Sequence, residues 1–477
     1  MSLINWLVGP LNDFIWTYIL VAFLIILGIY FTIRTRFIQI RLFKEMFRLT
    51  VEKNPSDDGV SAFQAFTISA ASRVGTGNIA GVALAIAIGG PGAVFWMWVI
   101  AIIGMATAFI ESTLAQVYKV KDGDTFRGGP AYYMQKALGW KNLGIIFAIL
   151  LTITFGFIFN SVQSNTIAQS FHSVFGIDTI VIGALLVIAT GLIIFGGVRR
   201  VVHFTQICVP VMAVFYIGIA LYVVAVNITE VPRMFMLIVE NAFGIQEFAG
   251  GGLGMAILQG TRRGLFSNEA GMGSVPNAAA TANVSHPAKQ GLVQSLGVFF
   301  DTIVICSATA FIILLSGIYA DGTSAGGVVL TQNSLAQQVG DWAQYFVAIA
   351  IFFFAFSSII GNYYYGETNI EFIKSNTTAL LFYRLIVLMM VMFGAVMSMG
   401  IVWSLADLFM GLMTIINLVV IAILGKIAFK VADDFYRQLK EKKNPVFKAD
   451  SIPGLKGAEC WEDSDQSIDI NRLISID

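Results

Sequence analysis

The residues from Ser72 to Gly81, Ser-Arg-Val-Gly-Thr-Gly-Asn-Ile-Ala-Gly, put a charge, a hydroxyl, an amide and closely spaced glycines in the middle of an apolar run from about Val60 to Ile88. That run is long enough to cross a bilayer, and its centre does not favour an unbroken helix. Glycine costs a helix interior roughly 1 kcal/mol relative to alanine, and a charge at membrane depth costs at least ~2.5 kcal/mol. Unwound backbone survives inside a membrane only where protein buries it or where it lines a cavity. The pattern predicts a broken transmembrane helix around a binding site. Freed N–H groups of Gly75, Thr76, Gly77 and Asn78 at the start of the second half-helix suit an anionic substrate group, aided by the positive helix end and the Thr76 hydroxyl. A tight helix crossing would also use small residues; Arg73 and Asn78 beside the glycines favour the site.

A second interruption runs from Gly264 to Asn277, where Asn268 and Glu269, with Pro276 close behind, work against a continuous helix. Asn268 is counted with the substrate-facing residues. Phe266 fits either a gate over the substrate or a core aromatic. Glu269 could carry protons or neutralise Arg73 across the two breaks; the ion pair is the expectation, because either charge alone is costly to bury. Gln163 lies in a polar window, Asn160 to Asn165, where amides serve as substrate contacts or as glue between helices. Ser357 and Ser358 sit midway along an apolar run. Their hydroxyls, with carbonyls freed by a break, would form the hard oxygen cage sodium needs, whereas back-bonding to the preceding turn needs no ion. Glu111 and Glu367 fall near cytoplasmic ends of spans, within reach of solvent, and Asp407 is a further acid near a span. Asp301 is deeper and better placed for an internal network. Gly128-Gly129-Pro130-Ala131-Tyr132-Tyr133 reads as a cytoplasmic turn with interfacial tyrosines that braces or gates.

The chain that must position these groups has 477 residues, 57% hydrophobic and 12% charged, with a mean hydropathy of +0.78. Soluble domains carry roughly 25% charge, so this is a polytopic membrane protein and its first partner is the lipid bilayer. A formal net charge of +0 gives no sign of nucleic acid or an acidic partner. Cys208, Cys306 and Cys460, like His172, His203 and His286, are scattered and fit neither a disulfide framework nor a metal-ligand set. No phosphate loop or nucleophile elbow occurs, which argues against an enzyme. A channel would want a continuous polar stripe; here the polarity is concentrated at mid-depth in two breaks. The N-terminus lacks a basic leader and a cleavage site, so its first apolar run reads as an uncleaved span.

Apolar runs near 13–33, 60–90, 92–118, 143–171, 178–197, 203–226, 248–283, 290–317, 342–367, 378–398 and 401–425 predict an all-α protein of about 11 transmembrane helices. Arg34, Arg36, Arg41, Lys44, Arg48 and Lys53 follow the first span, and Lys119, Lys121, Arg127, Lys136, Lys141, Arg199, Arg200, Lys289, Lys374, Lys426, Lys430 and Arg437 recur on the same side. The positive-inside rule makes that side cytoplasmic, with the N-terminus external and the C-terminus inside. Residues 1–59 then supply an extra helix and a basic linker. Residues 60–226 and 248–430 hold five spans each in opposite topology, divided by an external loop at 227–247. Residues 431–477 form a polar tail, predicted to be poorly ordered from Asp433 onward. Each half opens with its broken helix, the arrangement of inverted-repeat transporters whose site lies between the repeats.

The stretch Ser72 to Gly81, together with Gly89-Gly90-Pro91-Gly92-Ala93, Gly128-Gly129-Pro130 and Arg263-Gly264-Leu265-Phe266-Ser267-Asn268-Glu269-Ala270-Gly271-Met272-Gly273-Ser274, resembles the alanine or glycine:cation symporter family. The likeness spans essentially residues 10–430, with Val275 where alanine is the family pattern. The resemblance implies a leucine-transporter type of fold, one extra N-terminal helix ahead of a 5+5 inverted repeat, and sodium-driven uptake of small neutral amino acids at the bacterial cell membrane. It implies that Gly75, Thr76 and Gly77 face the substrate carboxylate and that Gln163, Phe266 and Met272 line the pocket. The sodium site would take carbonyls of Ala71 and Val74 and hydroxyls of Ser357 and Ser358. Ile359 and Tyr363, beyond the serines, would set pocket size. Particular similarity to Gram-positive members keeps glutamine as an alternative to alanine or glycine, and Glu269 keeps proton coupling as an alternative to sodium.

Overall fold

The computed structural model describes residues 3–53, 59–196, 198–244, 252–320 and 326–462. The chain runs from α1 (Val8–Arg34) into a pair bent by 50°, α2 (Ala62–Arg73) and α3 (Gly77–Gly89), and then through α4 (Gly92–Val117), α5 (Lys141–Phe175), α6 (Thr179–Ile194) and α7 (Val198–Val226). The second half holds α8 (Val231–Ala242), α9 (Leu253–Asn268), the short α10 (Val275–Ala279), α11 (Pro287–Ser316), α12 (Trp342–Ile373), α13 (Thr377–Val396) and α14 (Met399–Lys440). Each apolar run read from the sequence carries a helix. By length and apolarity alone, however, 7 of the described helices can cross a membrane, or 9 if two bent pairs count as one span each. The shortfall has a local cause: α6 has only 16 residues, and α9 ends in Arg262, Arg263, Ser267 and Asn268.

The sequence starts and stops the broken helices with recognisable signals. A capping box opens α2: the Ser61 hydroxyl accepts from the Gln64 N–H at 3.0 Å, and the Gln64 side chain accepts from the Ser61 N–H at 2.9 Å. α9 stops at Glu269, whose φ is 58°, and Gly271 and Gly273 follow at 93° and 82°. Three left-handed residues within five positions cannot continue a helix.

Three connections differ from expectation. The region read as an external loop carries α8, set at 104° to Pro210–Val226, and the next such region carries Val328–Val339. The start of the second half, 245–251, lies outside the described residues, as do the side chains of Arg199, Arg200, His203 and Cys208. A two-stranded hairpin pairs Val120–Asp122 with Thr125–Arg127 at the basic end of the bundle. The tail is also ordered further than its polarity suggests. α14 continues to Lys440, and the following residues pack over the basic end, where the Phe447 N–H donates to the Ser285 carbonyl at 2.9 Å and Trp461 Nε1 to the Gln116 carbonyl at 2.8 Å. Phe447, Ile452 and Ala458 are buried there; a few apolar residues among many polar ones give the segment something to bury.

Candidate functional site

Arg73 closes α2, Val74 leaves helical geometry at φ −78° and ψ 87°, and Thr76 opens α3. Within this break the Gly75 N–H donates to Asn78 Oδ1 at 2.8 Å, and the Thr76 N–H donates to Gln163 Oε1 of α5 at 2.9 Å. The Thr76 hydroxyl is buried without a partner. Side-chain oxygens thus occupy the N–H groups of the break. Gly75 must lack a side chain, because a Cβ there would collide with Ser358 Oγ and lie 2.9 Å from Gln163 Oε1.

Phe266 covers the same break. A Cβ on Gly77 would come within 3.0 Å of its ring, and that ring packs between Phe159, with centroids 4.6 Å apart, and Trp403, 4.7 Å apart. Phe159 and Trp403 were not singled out from the sequence. Phe159 stands one turn before Gln163, so helical spacing could have found it; Trp403, in α14, carries no local signal of its role. Arg263 lies over the Trp403 ring at 4.6 Å and reaches Asp407 Oδ2 at 2.5 Å, while Arg262 stands 3.4 Å from the same oxygen.

On the opposite side of the break the Ser358 hydroxyl donates to the Ala71 carbonyl at 2.8 Å and lies 3.4 Å from the Val74 carbonyl. Ser357 behaves differently: its hydroxyl bonds back to the Phe354 carbonyl at 2.8 Å. Of the two serines the structure brings only Ser358 to the carbonyls of the break. A hydroxyl and two backbone carbonyls are hard oxygen donors of the kind that suit an alkali cation.

Arg73 and Glu269 do not form the expected ion pair. Glu269 accepts from the Ser72 hydroxyl at 2.7 Å and the Ser274 hydroxyl at 2.6 Å. Arg73 Nη1 instead donates to the Gln294 carbonyl at 3.2 Å, where Gly297 leaves it room, and its Nε and Nη2 have no hydrogen-bond partner. A serine beside each break satisfies the acid locally, so the arginine is free to turn to α11. Asn78 is also committed elsewhere. Its Nδ2 donates to Asp301 Oδ1 at 2.7 Å, while Asp301 Oδ2 accepts from Ser267 at 2.7 Å and Thr302 at 2.8 Å. Asp301 therefore ties the two breaks together, and Asn78 shapes the turn without offering a free amide.

The acids assigned to solvent are buried. Glu111 is fully buried, accepting at Oε1 from the Gly271 N–H at 3.0 Å and at Oε2 from the Gly273 N–H at 3.2 Å and from Asn417 Nδ2 at 2.9 Å. The left-handed glycines turn two N–H groups to one side, and this nest holds the carboxylate. Asn417 in turn accepts from the hydroxyl of Tyr133, which is buried and not interfacial, so the Gly128–Tyr133 turn braces the second break. Asn268 Oδ1 accepts from the Ala270 N–H at 3.0 Å, its Nδ2 is unpartnered, and the fully buried Met272 donates its N–H to the Glu269 carbonyl at 3.1 Å. Both belong to the turn itself. Tyr363 does not line the pocket as expected: its hydroxyl donates to Glu367 at 2.6 Å, Arg384 joins both, and its ring stacks on Tyr383 at 5.5 Å. Ile359 is fully buried next to Ser358.

Comparison with known proteins agrees with this architecture. The model of the sodium:alanine symporter family matches residues 1–449. The amino-acid carrier protein AlsT of Bacillus subtilis is 59% identical over 98% of this chain and 99% of its own. The probable sodium/glutamine symporter GlnT of the same organism is 53% identical over 99% of this chain and 100% of its own. Among solved structures, MhsT in complex with L-phenylalanine superposes with a TM-score of 0.55 at 13% identity, covering 79% of this chain and 99% of that one, a likeness in fold of the leucine-transporter type. The chain is a multi-pass membrane transporter and not an enzyme, and it belongs to the sodium:alanine symporter family.

Proposed function

We propose that this chain imports small neutral amino acids, alanine and glycine foremost, together with sodium, by alternating access from a site at the first break. Sodium-coupled amino-acid symport follows from the family; the residues and the substrate are the proposal. The observation that carries it is the unpartnered, buried Thr76 hydroxyl beside a Thr76 N–H that Gln163 occupies. A buried polar group without a partner costs ~1–3 kcal/mol, and a substrate carboxylate at Gly75, Thr76 and Gly77 would satisfy it while Gln163 turns to the ligand. Phe266, backed by Phe159 and Trp403, presses on Gly77 and favours a small side chain.

Sodium is cargo, received by the Ala71 and Val74 carbonyls and the Ser358 hydroxyl. The Ala71 carbonyl at the end of α2, the Val74 carbonyl and the Thr76 N–H lie within one short stretch of chain, so an ion that orders one side presents the other to the amino acid. The charge bias supports an external N-terminus and a cytoplasmic C-terminus. Glutamine is the rival substrate, suggested by the relative at 53% identity. Glu269, bonded to two serine hydroxyls and to no cation among the described residues, is the feature favouring proton coupling.

Uptake of labelled alanine into proteoliposomes under an inward sodium gradient, with glycine, serine and glutamine as competitors, tests the reading. Sodium-dependent uptake blocked by glycine and not by glutamine supports it; stronger competition by glutamine moves the substrate, and uptake in sodium-free buffer at fixed pH replaces the ion. Thr76→Val lowers uptake with little loss of folded protein; unchanged uptake would remove the carboxylate from this turn.

A further inference from the structure

The ordered tail forms one wall of a half-open cavity of about 240 Å³ at the basic end of the bundle. Its lining includes Lys426 and Lys430 of α14, Lys456 of the tail, the buried Tyr118, and Ile452 and Leu455. No carboxylate lines it, and none of the three lysines forms an ion pair among the described residues. Lys426 and Lys430 are one turn apart, where like charges repel, and the fold adds a third ammonium beside them. Other lysines at this end are paired or packed: Lys136 with Glu459, and Lys119 over the Phe126 ring at 4.0 Å. Three exposed ammonium groups without a carboxylate partner converge on one half-open cleft flanked by apolar side chains, an arrangement that suits an anion. The volume is below the roughly 300 Å³ at which drug-sized pockets begin, and basic pockets at this level of a membrane protein suit phosphate-bearing headgroups.

We propose that this cavity binds a phosphate group, carried by an anionic lipid or by a soluble phosphate, and that the bound anion clamps the tail to α14. The same tail covers the helix ends at Gln116 and Ser285, so binding would hold that cover in place. The proposal does not depend on which amino acid is transported.

The test uses the full chain in detergent and reads its thermal unfolding midpoint. Phosphatidylglycerol is compared with net-neutral phosphatidylcholine, and inorganic phosphate with chloride at matched ionic strength. A rise of several degrees with phosphatidylglycerol alone identifies a lipid headgroup; the same rise with inorganic phosphate identifies a soluble anion. Either rise must be lost in Lys456→Gln and in the Lys426→Gln, Lys430→Gln pair. Should the pair fail to fold, Lys456→Gln, an exposed tail residue, decides alone. No selective rise with either probe, or a rise that survives Lys456→Gln, overturns the proposal.

Discussion

The Ser358 hydroxyl on α12 and the Ala71 carbonyl at the end of α2 meet at 2.8 Å across 287 residues of sequence. This contact fastens the first break to a helix of the second half, and it does so with oxygen atoms a sodium ion could use. Ser358→Ala is expected to raise the sodium concentration for half-maximal uptake roughly tenfold, about 1.4 kcal/mol of binding. Ser357→Ala, whose hydroxyl only bonds back within its own helix, should change it far less. Sodium titration of alanine uptake separates the two, and equal effects would place the ion elsewhere.

Gly75 lies between the proposed amino-acid and sodium sites. A methyl group there would collide with Ser358 Oγ and crowd Gln163 Oε1 at 2.9 Å. Neither neighbour can retreat without giving up a bond to the break, so Gly75→Ala should abolish uptake of every substrate and also blunt sodium binding. Gly77→Ala meets the edge of Phe266 at 3.0 Å and, beside it, Ser267 Cα at 3.1 Å and Cβ at 3.3 Å, so the ring and the end of α9 must both give by a few tenths of an ångström. It should retain glycine uptake while losing alanine. Competition assays on the two variants give the order; a Gly77→Ala protein that still prefers alanine would argue against Phe266 as the wall.

The first break was legible because its residue types, Arg73, Gly75, Thr76, Gly77 and Asn78, are costly in an unbroken helix at membrane depth. Gln163 and Ser358 were legible as polar groups in apolar runs, although the residues left open which of Ser357 and Ser358 turns to the break, since adjacent residues on a helix point some 100° apart. What the sequence hid were partners fixed by tertiary packing. Glu111 looked solvated because it stands near a span end, yet the left-handed Gly271 and Gly273 bring two N–H groups to it from 160 and 162 residues away. The Arg73 and Glu269 pair failed for the converse reason: local serine hydroxyls compete with a distant guanidinium, and no spacing rule ranks them. Trp403 reaches Phe266 of the second break only through the tertiary packing of α14.

Glu111 should matter for assembly more than for substrate choice. Its two oxygens accept three hydrogen bonds that hold the second break, and Asn417 also reaches the Gly271 carbonyl at 2.9 Å. Glu111→Gln replaces one acceptor oxygen with a donor that faces an N–H, and leaving such a buried hydrogen-bonding group unsatisfied costs ~1–3 kcal/mol. The variant is expected to yield little monodisperse protein and a lower melting midpoint, while the alanine KM of what survives stays close to that of the parent chain. A change in KM at unchanged stability would instead make Glu111 part of the binding site.

Stability should also depend on pH through His286, which stands just ahead of α11, outside the spans. Its ring is fully buried between Phe435 and Phe447, each with centroids 5.2 Å away, and burial pushes its pKa down from 6.5 to about 4. Asp434, 3.3 Å from Nε2, pulls the other way, and Lys289 adds a like charge. The sign follows from counting protons. Between pH 4 and 6.5 the unfolded chain carries a proton on this ring that the folded chain refuses, so stability falls as pH drops through that window. The full shift corresponds to on the order of 3 kcal/mol. Above the window the contribution is complete and flat. His286→Asn keeps a cap for the Ala288 N–H, which His286 Nδ1 now accepts at 3.2 Å, but cannot titrate. Melting midpoints taken from pH 7.5 to 4.5 should fall more steeply for the parent chain than for His286→Asn; parallel curves would assign the acid sensitivity to other groups.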